Sequence, residues 1–561
     1  MENLMSTVKS VSELMDEFQS GSIAVPEIQR DVVWKSDQVK SLIDSISLGY
    51  PCGALIFWEP REKDEQLVRS MIRPERLDWL DAHAGRLPRY FLIDGQQRVT
   101  ALASALIMRE RLKEILVELE DDMPYVLVNL RRVNKRNLEL EATTDLAGYA
   151  FPWVLFNKLY DGSYLREPEF AKLPGENQER IRIHIQRVRD YKFPVQIITG
   201  PEYETVAEIF TRVNSLGTQL TGAEIYLARI VPHWRGITRE FRDYRRDLQQ
   251  RNYELDLTFL MRAITVVECN VAQIKKLAEK VAKDHPSKAH LDRTWWAARS
   301  ATDRTVRALQ RGLHLDKSKF ITSKNAMVPM VYYFAKQTRR SGGDRNALRF
   351  FILSHLSEHY GGSAETVLKR DIGTLADPST TLRQNLTDLV DIVNKGARQS
   401  YRGLRIKPGD VVGLSSKNVL VLLMYILMRE RRATDWGSGR RASLAEIEPR
   451  DLQLHHIFPF NFMVNNASAR GWYEDNDYTP ADYRAEINDI GNLTFISQAK
   501  NIAIRDDAPW QYLPNETTKI IRKAHFVPEN PDLWKPENYS DFLNERRNLI
   551  SKAMTQFLRK L

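Results

Sequence analysis

The pattern of apolar residues changes character near residue 225, and that change limits the folds open to this chain. Before it, short apolar runs of strand type, over 54–58, 90–93, 125–130 and 195–198, alternate with helical patterns over 36–48, 96–109 and 203–213. From 226 to 410 the strand signals nearly vanish and long helical patterns take over, with Trp295, Trp296, Tyr332, Tyr333, Phe350 and Phe351 as expected core aromatics. The stretch "YRGLRIKPGDVVG" at 401–413 joins this part to a final mixed region. The pattern predicts an α+β multidomain protein, mainly helical, with an α+β domain over 1–225, a helical middle over 226–410 and a third domain over 411–561.

At 561 residues the chain is too long for one core. Only Cys52 and Cys269 are present, which excludes a disulfide framework and a four-cysteine zinc site and fits a cytoplasmic protein. The N-terminal "MENLMSTVKSVSELMDEF" has no apolar block of signal-peptide type and reads as an amphipathic helix. The longest apolar run, 419–428, is far short of the roughly 20 residues that cross a bilayer, so it reads as a buried helix and no membrane partner is expected. A net charge of +9 is mild over this length, but it is concentrated in "RRVNKR" (131–136), "REFRDYRRDLQQR" (239–251) and "RERRATDWGSGRR" (429–441). Such clusters can follow a nucleic-acid backbone, and they can equally be solvated helix faces.

Two constellations carry chemistry. In "FLIDGQQRVTA" (91–101) a buried strand ends on Asp94 and Gly95, and a helix follows. Gln96, Gln97 and Arg98 then stand at a strand-to-helix turn, where the positive end of the helix dipole favours an anion. Two further stretches place arginine with an amide at an element boundary: Gln29 and Arg30 in "VPEIQRDVVW", and Arg212 and Asn214 in "EIFTRVNSLGT". Arginine forks bind phosphate oxygens, and amides orient a base, a ribose or a water.

These three blocks resemble, in order and over roughly residues 10–230, the DUF262 domain, the ParB/sulfiredoxin-like part of GmrSD restriction enzymes, whose signature is the "DGQQR" at 94–98. The resemblance implies binding and hydrolysis of an NTP (GTP, ATP or another) without a P-loop, and no G-x-x-x-x-G-K-[ST] occurs in the chain. By the resemblance Gln29, Arg30, Asp94, Gly95, Gln96, Gln97, Arg98, Arg212 and Asn214 hold the nucleotide, and Asp94 and Arg98 also act in its hydrolysis.

The second constellation pairs "LQLHHIFPFNF" (452–462) with "DIGNLTFISQAKNIAIRD" (489–506). The residues around His455 and His456 suggest a strand, "LTFIS" another, and "QAKNIAI" a helix. Two strands and a helix that gather His, Asn and a further ligand can hold one divalent cation beside a neutral, water-activating histidine. This region resembles the DUF1524 domain, an HNH endonuclease of ββα-metal type. By that resemblance His456 is the general base, Asn492 the middle residue supporting it, and His455 and Asn501 ligands of Mg²⁺, Mn²⁺ or Ni²⁺.

The motif "HLSEH" (355–359) also matches the inverted zinc-peptidase pattern, but it reads better as a half-buried helical histidine pair. Taken together, the chain resembles single-chain GmrSD-like type IV restriction enzymes, relatives of SspE and BrxU. These cut modified phage DNA, and the resemblance leaves a homodimer open. The alternative is an NTP-hydrolysing sensor of modified DNA, such as phosphorothioate DNA, whose HNH domain only nicks or binds. A third reading makes the N-terminal fold a DNA-binding module.

Overall fold

The computed structural model describes residues 3–26, 34–60, 69, 72, 87–115, 123–200, 203–215, 221–337, 344–412, 418–437 and 442–561. The chain forms two units, Met1–Glu240 with Val281–Lys288, and Phe241–Lys280 with Ala289–Leu561.

The first unit is built on a five-stranded mixed sheet. Its strands are β1 (Asn3–Ser10), β2 (Ile23–Ala24), β3 (Leu55–Glu59), β4 (Tyr90–Asp94) and, later in the chain, Lys192–Thr199, here β8; their order is β1-β8-β3-β4-β2. β3 and β4 are nearly continuous apolar runs because both of their faces are covered: Leu55, Phe57, Trp58, Phe91, Leu92 and Ile93 are all buried. Phe57 stacks on Tyr90 at 5.8 Å, and Trp58 meets Phe91 at 5.5 Å. A second antiparallel sheet has the order β6-β5-β7, from β5 (Tyr125–Val133), β6 (Leu138–Thr143) and β7 (Trp153–Leu155).

The N-terminal reading needs correction. Residues 3–10 form strand β1, antiparallel to β8, and the helix begins only at Val11. Ser10 accepts a hydrogen bond from Glu13 N–H while the Glu13 carboxylate reaches back to Ser10 N–H, so a capping box stops the helix there.

The second unit is mainly helical. Val419–Glu430 is a helix, and every residue from Val419 to Met428 in it is buried, as its unbroken apolar run requires. Trp295 is buried against Phe241 and Tyr244. Trp296, expected in the core, instead points outward at 58% exposure beneath the Arg299 guanidinium. Successive residues on a helix diverge by about 100°, and this helix is covered on one side only. No single helix among the described residues is long and apolar enough to cross a membrane.

Several residues of the basic clusters are engaged within the fold. Arg251 pairs with Asp247 and Asp303, Arg429 with Asp316, and Arg431 donates to Lys523 O. Residues 438–441 of the third cluster lie outside the described residues. The "HLSEH" segment does not present two histidines on one helix face: the helix Asp344–Leu356 ends before Glu358, which has a positive φ. His355 is buried against Phe351 O, while His359 pairs with the buried Asp371.

Near the C-terminus β9 (Leu452–His456) and β10 (Leu493–Ser497) pair antiparallel, with His456 opposite Leu493 and His455 opposite Thr494. The helix Gln498–Ile504 follows directly, capped by the Ser497 hydroxyl accepting from Lys500 N–H. Strand, strand and helix therefore stand in the expected order, with β10 and the helix on the expected boundaries.

Candidate functional site

The "DGQQR" turn is held by an inward-facing arginine. β4 ends at Asp94, Gly95 takes φ 95°, and the helix Gln96–Leu106 begins. A Cβ on Gly95 would lie 2.3 Å from Leu55 Cδ2, so the turn admits only glycine. Arg98 folds back across it: Nη2 donates to Asp94 Oδ2 at 3.0 Å, and Nη1 donates to Cys52 O at 2.9 Å. A Cβ on Gly53 would meet Nη1 at 2.2 Å, so the guanidinium lies directly over this second glycine, at φ 81°.

Tyr191 fixes the same 50–53 loop from another side, accepting from Cys52 N–H at 2.9 Å and donating to Tyr50 O at 2.8 Å. Burial raises its phenol to about 12, so it remains a donor. Gln97 Oε1 accepts from Trp34 N–H at 3.2 Å, and Gln96 is buried.

Of the residues expected to bind nucleotide, the turn thus unites Asp94, Gly95, Gln96, Gln97 and Arg98. Arg212 sits on the helix Tyr203–Ser215, which packs beside β4, and its exposed side chain pairs with Glu208 one turn earlier. Gln29, Arg30 and the Asn214 side chain lie outside the described residues. Tyr191 and the Cys52–Gly53 loop were missed by sequence reasoning; "PCG" ahead of an apolar strand was the available signal.

The second constellation converges on the ββα unit. Successive strand residues point to opposite faces, so His455 and His456 take different environments. His455 is buried edge-on to Trp436, with Nδ1 2.7 Å from Asn501 Oδ1. Asn501 in turn donates from Nδ2 to Gln453 Oε1 at 2.8 Å. Burial lowers His455 to about 4, which leaves it neutral near pH 7. The amide oxygen facing Nδ1 places the imidazole proton there, so His455 and Asn501 would have to give up this hydrogen bond to offer Nδ1 and Oδ1 to a divalent cation. Among the described residues no group of three or more His, Cys, Asp or Glu is gathered for a metal.

His456 is lowered by burial as well. Its Nε2 is 2.9 Å from Asn488 Oδ1, and the Asn488 Nδ2 donates to Arg484 O, which fixes the amide orientation. An oxygen facing Nε2 places the proton there and leaves Nδ1 as the basic nitrogen.

Asn492 is fully buried and acts on the backbone. Its Oδ1 accepts from Phe458 N–H at 2.8 Å, and its Nδ2 donates to Phe458 O and Ile487 O at 3.0 and 2.9 Å. Its own carbonyl accepts from Ile457 N–H at 2.8 Å. It is therefore a positioning residue for the chain leaving His456.

The segment carrying Asn492 is gripped by Arg546, also fully buried. Nη1 donates to Ile490 O and Gly491 O, and Nη2 to Leu493 O and His525 O, at 2.6 to 3.2 Å. Burial lowers this guanidinium to about 9, which leaves it charged at neutral pH. Arg547 pairs with Asp489 at 2.8 Å and Glu486 at 2.7 Å. Tyr512 donates to Ile457 O. Sequence reasoning missed Asn488, Tyr512 and Arg546; an arginine pair on the apolar stripe of 539–560 was the legible sign.

Residues 11–231 match the family model described as the N-terminal domain of the GmrSD restriction endonuclease. Over its whole length the chain is similar to an uncharacterised protein of Methanocaldococcus jannaschii, at 21% identity over 99% of this chain and 100% of that one.

Arg98→Ala is expected to lower the stability of the first unit by about 2 kcal/mol, because it removes two charge-assisted hydrogen bonds from a largely buried group. Arg98→Lys should restore little, since one ammonium cannot reproduce the fork. An unchanged unfolding midpoint in urea would show that the arginine does not hold the turn.

A second expectation concerns acid. His355 and His455 are lowered to about 4 and His525 to about 3, all by burial, from an ordinary value of 6.5. Below pH 6.5 the unfolded chain takes up protons that the folded chain refuses. Their contribution is thus complete above that pH and lost as pH falls toward the folded values. Between about pH 7.5 and 5.5 the second unit should lose roughly 1 kcal/mol per histidine. Urea unfolding at the two pH values measures the loss, and equal midpoints would contradict it.

Proposed function

We propose, because residues 11–231 match the model of the GmrSD restriction endonuclease N-terminal domain, that this chain is a single-chain, modification-dependent DNA endonuclease of phage defence. In this reading the N-terminal domain binds and hydrolyses an NTP and thereby regulates metal-dependent cleavage by the C-terminal ββα unit, an HNH centre. The observation that carries the cleavage reading is His456: a neutral imidazole whose Nε2 is fixed by Asn488 Oδ1, leaving Nδ1 to accept a proton from water. Asn492 holds the peptide behind it, and His455 with Asn501 supplies donors for the cation. A bound Mg²⁺, Mn²⁺ or Ni²⁺ would stabilise charge on the phosphate and the leaving oxygen.

In the N-terminal domain Asp94 and Arg98 link the start of a helix to the 50–53 loop. Nucleotide engaging the neighbouring amides would bear on that loop. In a second reading the chain is an NTP-hydrolysing sensor and the ββα unit only nicks or binds DNA.

Digestion of matched modified and unmodified phage DNAs, each with and without NTP and Mg²⁺, tests the proposal and separates the two readings by double-strand cleavage against nicks. His456→Ala is expected to lower cleavage by roughly 10²- to 10⁴-fold while NTP hydrolysis continues. Substantial cutting by the folded variant would remove the general-base assignment. Cleavage should also stop in EDTA, and Asn501→Ala should weaken metal affinity more than DNA binding. Undiminished cutting by metal-free protein would rule out the cation.

A further inference from the structure

The turn that leaves the helix Gln498–Ile504 is closed by a hydrogen bond from Asp507 N–H to Ile504 O at 3.1 Å. Its second residue, Arg505, has φ 52° and ψ −127°. That is the first central position of a type II′ turn, which glycine adopts freely and a residue with a Cβ adopts under strain. Asn270, by contrast, caps its helix at φ 55° and ψ 29°, in the left-handed region that asparagine tolerates. The strained position is thus occupied by a long cation.

The Arg505 side chain makes no hydrogen bond or ion pair among the described residues and is exposed. Nothing in the fold rewards the strain. Arg505 lies one turn beyond Asn501, and its N–H donates to Asn501 O at 3.3 Å. Large apolar side chains stand exposed on both sides of it in sequence: Ile502 at 62%, and Trp510 at 38% with its ring against Phe462. An unpaired arginine between exposed apolar groups suits a nucleic-acid strand, which offers a phosphate beside sugar and base surfaces.

We propose that Arg505 is a DNA phosphate-binding residue beside the His455–Asn501 pair, with Ile502 and Trp510 lying against the sugars and base edges next to that phosphate. The assignment rests on the nuclease reading of this centre. Asp506 and Asp507 in the same turn reduce the local charge, so the expected contribution is one phosphate contact and not a basic tract.

The test is titration of a fluorescein-labelled DNA duplex by the full chain, read as anisotropy across a salt series without divalent cation, beside melting curves and a cleavage assay. Arg505→Gly should weaken binding roughly three- to tenfold and reduce the slope of log affinity against log salt by about 1. The same substitution should raise the melting temperature, since glycine relieves the turn. Arg505→Lys should keep the slope and show no such rise. Loss of binding together with gain of stability is a pair of results that a purely structural arginine cannot give.

Equal affinity and equal slope for Arg505→Gly and the unsubstituted chain overturn the contact, and if the chain cuts DNA the nuclease reading survives. A fall in melting temperature for Arg505→Gly overturns the strain argument. An Arg505-dependent slope in a chain that cuts no DNA with any cation supports the contact and removes the nuclease reading.

Discussion

The geometry of the C-terminal unit depends on one buried guanidinium. Arg546 donates to four backbone carbonyls, two just before Asn492, one just after it and one in the 525 segment. A buried cation is costly unless its hydrogen bonds are met, and here nearly all the compensation comes from peptide dipoles. Remove the side chain and four carbonyls lose their donor in the interior, a cost of several kcal/mol. The segment could not then hold Asn492 against Phe458, nor keep the chain after His456 in place. The segment around Asn492 is therefore held from a distant helix, Tyr539–Lys560.

The N-terminal domain uses the same device on a smaller scale. Arg98 captures Cys52 O and is balanced by Asp94, passing over Gly53, where a Cβ would displace the guanidinium. Arginine suits this work because its planar fork reaches two acceptors at once and stays charged when partly desolvated. The sequence signal that looks like phosphate recognition, arginine beside amides at a strand-to-helix turn, is thus also a signal for loop fixation. Each chemistry wants the same residue at the same position, and only the direction of the side chain separates them.

This explains what was legible in the sequence and what was not. β10 and the helix after it fell on their expected boundaries because a β-branched and aromatic run and a capping Ser497 are local signals. His455, Asn501, His456 and Asn492 could be named because the two stretches that carry them resemble the DUF1524 motifs. Trp296 was misplaced because two adjacent tryptophans on a helix covered from one side cannot both be buried, and nothing local says which one wins. β1 was misread because its partner, β8, lies far along the chain, with Ser10 opposite Lys192 and Asn3 opposite Thr199, and pairing at that distance leaves no local trace. Asn488, Tyr512 and Arg546 escaped for the same reason: Asn488 meets the distant His456 side chain, and Tyr512 and Arg546 act on backbone far from them in sequence.

The division of labour between the two adjacent histidines follows from the strand itself. Alternation sends His455 into an aromatic pocket with Trp436 and Tyr512, and His456 toward Asn488 at the end of β9. Burial keeps both neutral, and each has an amide oxygen as partner where a carboxylate would have favoured the charged form. Substituting aspartate for Asn488 or Asn501 would therefore change more than shape: a nearby negative charge would pull the imidazole toward protonation. The two asparagines supply orientation without charge, and that absence of charge leaves both imidazoles neutral.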